Sequence, residues 1–309
     1  FYFIFNDRFN DGDPSNNNAN PQSGFSPANS RRIHGGDFKG IRAKLDYIKA
    51  LGATALWITP IPQNVGHSGY HGYGADNFHT LQPNWGSTND LVELVDAAHA
   101  MGLYVCLDIV LNHQGNRIDS ATTGWSTSFN VNGYPPRWTT GVSYPPPFNQ
   151  LTNFHNNGHI QNYVDPDQVL GELSGLDDLR TETLHVRTNL VNIYKYWVTA
   201  ADFDGFRLDT VKHADTGVWQ FFNSEFREFA RAIGKTNFFQ FGEVYDGSDA
   251  KCGSYTGTKA NGAFANDSVV DFPLYFRVND VFASAAGNTK QIEDRYNAIA
   301  ANYDPYAQY

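Results

Sequence analysis

Three short segments close apolar runs with residues able to do chemistry: Asp108-Ile-Val-Leu-Asn112-His113, Gly205-Phe-Arg207-Leu-Asp209-Thr-Val-Lys212-His213 and Phe241-Gly-Glu243-Val244. A buried strand cannot carry unpaired charge cheaply, so such residues belong at its ends. Arg207 and Asp209 stand two apart and share one face of a strand. An arginine beside a carboxylate fixes it through charge-assisted hydrogen bonds, which makes Asp209 a candidate nucleophile. Glu243 follows Phe238-Phe-Gln-Phe-Gly242, so its surroundings should be partly apolar, as suits an acid that gives a proton and takes it back. Two carboxylates facing each other are the minimum equipment for cleaving a glycosidic bond. The alternative is an interior Arg–Asp pair with Glu243 as a rim residue.

These residues need elements to position them. Residues 1–9, 55–61, 103–111, 203–211 and 238–245 read as strands, with a weaker one near 269–275. Ile41, Leu45, Ile48 and Leu51 recur at helical spacing, and Gly52 supplies a stop. Ser87-Thr-Asn-Asp90 resembles a capping box ahead of Leu91, Leu94, Val95, Ala98 and Met101. A further helix is expected at 182–200. Strands alternating with helices of this length mean parallel βα units, and in a barrel of such units chemistry gathers at the carboxyl ends of the strands.

One stretch breaks the rhythm. Residues 114–175 lack sustained periodicity and are rich in Asn, Gly, Pro and aromatics, including Tyr144-Pro-Pro-Pro147. A structureless loop of that length is uncommon inside a compact domain, so a small subdomain inserted after the third strand is expected. The predicted organisation is barrel over 1–113, insert over 114–175 and barrel again over 176–309. Five clear βα units and a fainter sixth fall short of eight, so either the sheet is open or, as is expected here, the last strands lie past Tyr309.

With 32 acidic against 22 basic residues and a net charge of −10, the chain is a poor match to nucleic acid, whose phosphates demand a basic face. No apolar run is long enough to span a bilayer. Aromatics make up 15% of the chain, more than a core needs, and suit a protein that stacks rings on flat sugar faces. Cys106 and Cys252 are too few for a disulfide framework; Cys106 reads as core, Cys252 as a residue of a polar loop. The chain opens directly on Phe1-Tyr-Phe-Ile-Phe5 with no signal peptide, and upstream native sequence is expected.

Two loops carry ligand-like residues. Asp11-Gly12-Asp13-Pro14-Ser15-Asn16-Asn17 concentrates oxygen side chains of the kind calcium requires, though a solvated Asx-turn loop would look the same. His71-Gly72-Tyr73 sits in a Gly-rich loop after the second strand, where a His–aromatic pair means either packing or a sugar platform.

Together with Gly69-Tyr70-His71-Gly72-Tyr73 and Gly175-Leu176-Asp177-Asp178-Leu179, the three opening segments resemble, in order along the whole chain, the motifs of the α-amylase family of glycoside hydrolases. The resemblance implies an α/β fold, a (β/α)8 TIM barrel with a small B subdomain after strand three, and retaining hydrolysis of α-1,4-glucosidic bonds within starch-like glucans. It implies Asp209 as nucleophile, Glu243 as acid/base and Arg207 as the group orienting the nucleophile. His71, Tyr73 and His113 would line the sugar at the cleavage point, and Lys212 and His213 would contact the sugar beyond it. Asn112, Asp178 and the carbonyl of His213 match the family's calcium site. Asp11, Asp13, Asn16, Asn17, Asp37 and the carbonyl of Gly35 look like the second calcium site of cyclodextrin glucanotransferases. Gly74 stands where many relatives have Trp, and the Asn-His-Asp motif that carries the family's third carboxylate does not occur here. On its own, this span is therefore expected to be inactive.

Lys212-His213 resembles α-amylases and cyclodextrin-forming enzymes more than α-1,6-glucosidases, and Glu243-Val244-Tyr245-Asp246 resembles amylases, whereas glucanotransferases usually have Trp after the Glu. Cyclodextrin-forming or maltogenic transfer is the alternative within the family, and a non-catalytic carbohydrate-binding barrel is the alternative outside it. A secreted monomer acting on an α-glucan is expected, with secretion inferred from the polymeric substrate.

Overall fold

The computed structural model describes residues 1–20, 22–64, 69–125, 127–258, 264–284 and 286–307. Its centre is one sheet of six strands: β1 (Tyr2–Ile4), β2 (Ala55–Ile58), β3 (Tyr104–Ile109), β4 (Gly205–Leu208), β5 (Phe239–Gly242) and β6 (Ser268–Val269). They lie side by side in chain order and pair in parallel throughout. Parallel neighbours require crossovers, and the three longest helices among the described residues each lie in one: α1 (Thr88–Ala100), α2 (Leu184–Ala201) and α3 (Thr216–Ala232). Among the described residues no helix is long and apolar enough to cross a membrane.

Local chemistry explains the helices. The capping box before α1 is present: Ser87 Oγ accepts from the Asp90 amide at 3.2 Å, while the Asp90 carboxylate accepts from the Ser87 amide at 2.8 Å. The buried face of α2 carries Val186, Leu190, Ile193, Tyr194 and Trp197. Tyr194 ties that helix to the end of β3, its hydroxyl donating to the Val110 carbonyl at 2.8 Å. Strands β4 and β5 approach closely at Gly205, where a Cβ would fall 2.4 Å from the Phe239 carbonyl oxygen.

Several elements differ from the sequence reading. The first strand stops at Ile4, because Asn6 and Asp7 enter a short helix, Asn6–Phe9, with their side chains buried. Asn6 bonds Thr59, and Asp7 accepts the amides of His34 and Gly35. Only Ser268–Val269 is strand in the weak last run; Asp271 caps a helix over Phe272–Val278 with Pro273 in its first turn. The single helix expected around 41–51 is two, Phe38–Arg42 and Leu45–Ala50. Pro62–Asn64 and Ala75–Leu81 pair antiparallel, an element that the sequence reading lacks. Cys252 is not in an open loop but buried in the short helix Asp249–Gly253; both cysteines are free. The 114–175 stretch contains a short hairpin, Ile118–Ser120 with Pro136–Trp138, and otherwise few regular elements.

Candidate active site

Strand register assembles the site. Asp108 on β3 lies opposite Arg207 on β4, and Leu208 lies opposite Gly242 on β5. The next residues, Asp209 and Glu243, therefore emerge side by side at the carboxyl ends of their strands. Just past Asp209, Thr210 takes the left-handed backbone conformation, φ 50° and ψ 42°. This turn aims the Thr210 N–H at Glu243, whose Oε2 accepts it at 3.0 Å.

Arg207 is the hub, 5% exposed. Its Nη1 donates to Asp209 Oδ1 at 2.5 Å and to both oxygens of Asp108, at 2.9 and 3.2 Å. Its Nη2 lies 3.0 Å from Glu243 Oε2. One planar cation thus holds three carboxylates, and the two expected to do chemistry sit on its two terminal nitrogens. Burial disfavours the guanidinium's charge, but Asp108, Asp209 and Glu243 outweigh it and hold its proton more tightly than usual. The partly apolar surroundings expected around Glu243 are not what touches its carboxylate, which meets a guanidinium and a backbone amide.

Asp108 is a site residue that the sequence reading does not include. It is fully buried and accepts from Trp57 Nε1 and from the Tyr73 hydroxyl, each at 2.9 Å. Burial pushes its carboxyl up to about 7, against the pull of Arg207. The signal lay in the sequence: a lone acid inside an apolar strand needs a partner, and an arginine stands in the next strand of the sheet.

A cavity of about 430 Å³ opens on this cluster, and Tyr73, His113, Lys212, His213 and Tyr245 line it with Arg207, Asp209 and Glu243. His113 is 1% exposed and donates from Nε2 to the Tyr73 carbonyl at 2.8 Å, while Nδ1 faces the Asn112 amide at 3.3 Å. Both ring nitrogens are thereby engaged by protein, so its ring meets the cavity without a spare donor. The His71 ring lies nearly parallel to that of Tyr73, centroids 5.8 Å apart, and lines a larger neighbouring cavity. Burial brings both His71 and His113 down to about 4, so both rings are neutral near pH 7. Lys212 reaches Asp246 at 3.4 Å, and the His213 ring meets the Gln168 carbonyl at 3.2 Å.

The residues expected to hold calcium divide into two groups. Asn112 and Asp178 come together where residues 112–114 run antiparallel to 177–179, through Leu179 N to Asn112 O and Gln114 N to Asp177 O. Asn112 Oδ1 and Asp178 Oδ1 are buried without hydrogen-bond partners, an arrangement of oxygens that fits a hard cation. His213 lines the same cavity as His113, the residue next to Asn112. In the first loop, a Cβ on Gly35 would fall 2.7 Å from both Asn17 Oδ1 and Asp11 Oδ2, so a cradle of oxygens does close there. Buried Asn16 Oδ1 and Asn17 Oδ1 also lack partners. Asp13 and Asp37 are otherwise occupied. Asp13 pairs with Lys39 at 2.6 Å, and Asp37 caps a helix while accepting from Gly12, Asp13, Asn16 and Gly40. Among the described residues no three His, Cys, Asp or Glu side chains converge as a metal cluster; the fit rests on amide oxygens with one carboxylate in each group, Asp178 and Asp11.

A family model for the alpha amylase catalytic domain matches residues 3–307. The beta/alpha-amylase of Paenibacillus polymyxa is 36% identical over 96% of this chain and 22% of its own length. A cyclomaltodextrin glucanotransferase of Klebsiella oxytoca is 31% identical over 96% of the chain and 45% of its own. The chain thus spans less than half the length of either curated relative. Among solved structures, an Anoxybacillus alpha-amylase superposes with a TM-score of 0.79 at 31% identity, covering 98% of this chain and 58% of the other. The alpha-amylase of Geobacillus thermoleovorans, solved with acarbose, gives 0.73 at 32% identity over 98% of this chain and 58% of its own.

Proposed function

The chain belongs to the α-amylase family of glycoside hydrolases, and from that premise we propose that it carries the nucleophile and acid/base of a retaining endo-hydrolase of α-1,4-glucosidic bonds. The observation that carries this reading is the pairing of Asp209 and Glu243 on one guanidinium at the mouth of a cavity. The family's catalytic domain is a (β/α)8 barrel, and six parallel strands in chain order fit part of one. Residues 114–175 serve as the inserted subdomain between barrel segments 1–113 and 176–309.

The chemistry follows from exposure. Asp209 is nearly buried and fixed by Arg207, so it attacks the anomeric carbon from within. The Glu243 side chain is about a quarter exposed and can exchange its proton, first giving it to the leaving oxygen and then taking one from water. A covalent intermediate forms and is hydrolysed with retention, which requires carboxyl groups about 5–5.5 Å apart. The sharing of one guanidinium supports that spacing. Starch-like glucan is the substrate, met outside the cell.

The test is to supply soluble starch to the intact protein with calcium present, following the anomer first released and the product pattern. α-Anomeric linear oligosaccharides of mixed length are expected. A β-anomer would overturn retention, and dominant cyclic products would replace water by a sugar hydroxyl as the acceptor. No reducing sugar at all would favour a binding barrel.

Asn112 and Asp178, which flank the 114–175 segment, would hold calcium with the His213 carbonyl where that segment leaves and rejoins the barrel; the ion would add rigidity there. Chelation should lower the melting temperature by several degrees and activity with it, and re-addition of calcium should restore both. An unchanged melt and rate in chelator would remove calcium from the account.

A further inference from the structure

The larger cavity takes no part in the chemistry above. Its volume is about 1170 Å³, and it shares Ser174 and Leu176 with the catalytic cavity. His71, stacked on Tyr73, lines its near end. Lys212 and His213 line the catalytic cavity but not this one. The two spaces therefore adjoin at Ser174 and Leu176, with Asp209, Glu243, Lys212 and His213 on one side of that junction and His71 on the other.

The wall of the larger cavity holds a rigid charge pair. Arg117 Nε donates to Asp76 Oδ1 at 2.6 Å, and Nη1 donates to the Ser143 carbonyl at 3.3 Å. The guanidinium carbon lies 5.3 Å from the centre of the Tyr144 ring. Even the backbone is pinned, the Arg117 amide donating to Asp177 Oδ2 at 2.8 Å. The Asp76 side chain is 8% exposed and that of Arg117 25%. Among the described residues Nη2 makes no hydrogen bond. A guanidinium immobilised on two sides presents its remaining edge as a fixed planar donor at little further entropic cost. Because Asp76 neutralises it, the pair attracts no anion in particular. A neutral ligand rich in hydroxyl acceptors is what it fits.

We propose that Arg117, held in place by Asp76, is a specificity-determining residue: it hydrogen-bonds a glucosyl unit on the side of the scissile bond opposite Lys212 and His213. It makes the enzyme prefer longer chains. This rests on the α-glucan reading above and adds which residue measures the chain. Binding energy from such a remote contact is realised only by substrates long enough to reach it.

The test compares kcat/KM for maltotriose through maltoheptaose in the intact protein and in Arg117→Gln, Arg117→Lys and Asp76→Asn. Loss of a charge-assisted hydrogen bond should cost about tenfold or more on maltoheptaose. The loss should grow with chain length and be smallest for maltotriose, mostly in KM, so the length dependence flattens. Asp76→Asn should flatten it by less. Should Arg117→Gln fail to fold, Arg117→Lys makes the same comparison, since an ammonium keeps the charge and lacks the planar fork. Equal losses at every length, or none, overturn the proposal, because a purely structural role would not sort substrates by size. If the unmutated protein cleaves none of them, the parent reading fails and this one falls with it.

Discussion

Asp209→Asn should stop turnover in the intact protein, lowering kcat on soluble starch by about four orders of magnitude or more, as expected when a covalent nucleophile is deleted. The fold should survive. The substitution removes almost no volume, and the amide oxygen can still accept the Arg207 hydrogen bond that the carboxylate accepts now. A melting temperature within a few degrees of the parent would show that only chemistry was lost. A residual rate within tenfold of the parent would strip Asp209 of the role of nucleophile and return the Arg207–Asp209 pair to simple architecture.

Arg207→Met acts on stability instead. It strands Asp108, Asp209 and Glu243 around a missing cation, and one of the three, Asp108, is completely buried. Breaking a buried ion pair by removing one partner costs about 3–5 kcal/mol. The pH dependence has a definite sign. Asp108 already titrates above its ordinary range, near 7, because burial disfavours its charge. A carboxyl raised in the folded state stabilises below its unfolded value and loses that contribution as pH climbs through the folded one. The variant should therefore be hurt most at pH 8 and least at pH 5, where protonation relieves the crowding. Urea unfolding at both pH values measures it, and equal losses at the two would refute the charge argument.

Much of this site could be read from the sequence because strand chemistry is local. Arg207 and Asp209 share a face by their spacing alone, and the apolar runs before Asp209 and Glu243 told where their strands end. The capping box at Ser87 was readable for the same reason. What escaped depended on contacts between distant segments. Asp108 looked like the opening residue of a motif; only the register of β3 against β4 makes it a third carboxylate on Arg207. The Ala75–Leu81 strand was hidden because its burial alternates imperfectly and its partner, Pro62–Asn64, is short and irregular in register. In the first loop, composition could not tell acids aimed inward from acids such as Asp13, which Lys39 captures, or Asp37, which caps a helix. The helix after Asp271 was mistaken for strand because Phe272, Leu274, Tyr275 and Phe276 suit either structure, whereas Pro273 suits only a helix start.

Thr210 has one more consequence. A β-branched side chain is an uncomfortable occupant of the left-handed conformation, by about 1–3 kcal/mol, and this one stands between the two groups that must cooperate. The kink keeps the pair aligned, so local discomfort is exchanged for alignment. Selection for heat tolerance would favour glycine at that point, and selection for speed would resist it, since a looser hinge lets Glu243 drift from its amide. Hardiness and quickness therefore pull this one position in opposite directions.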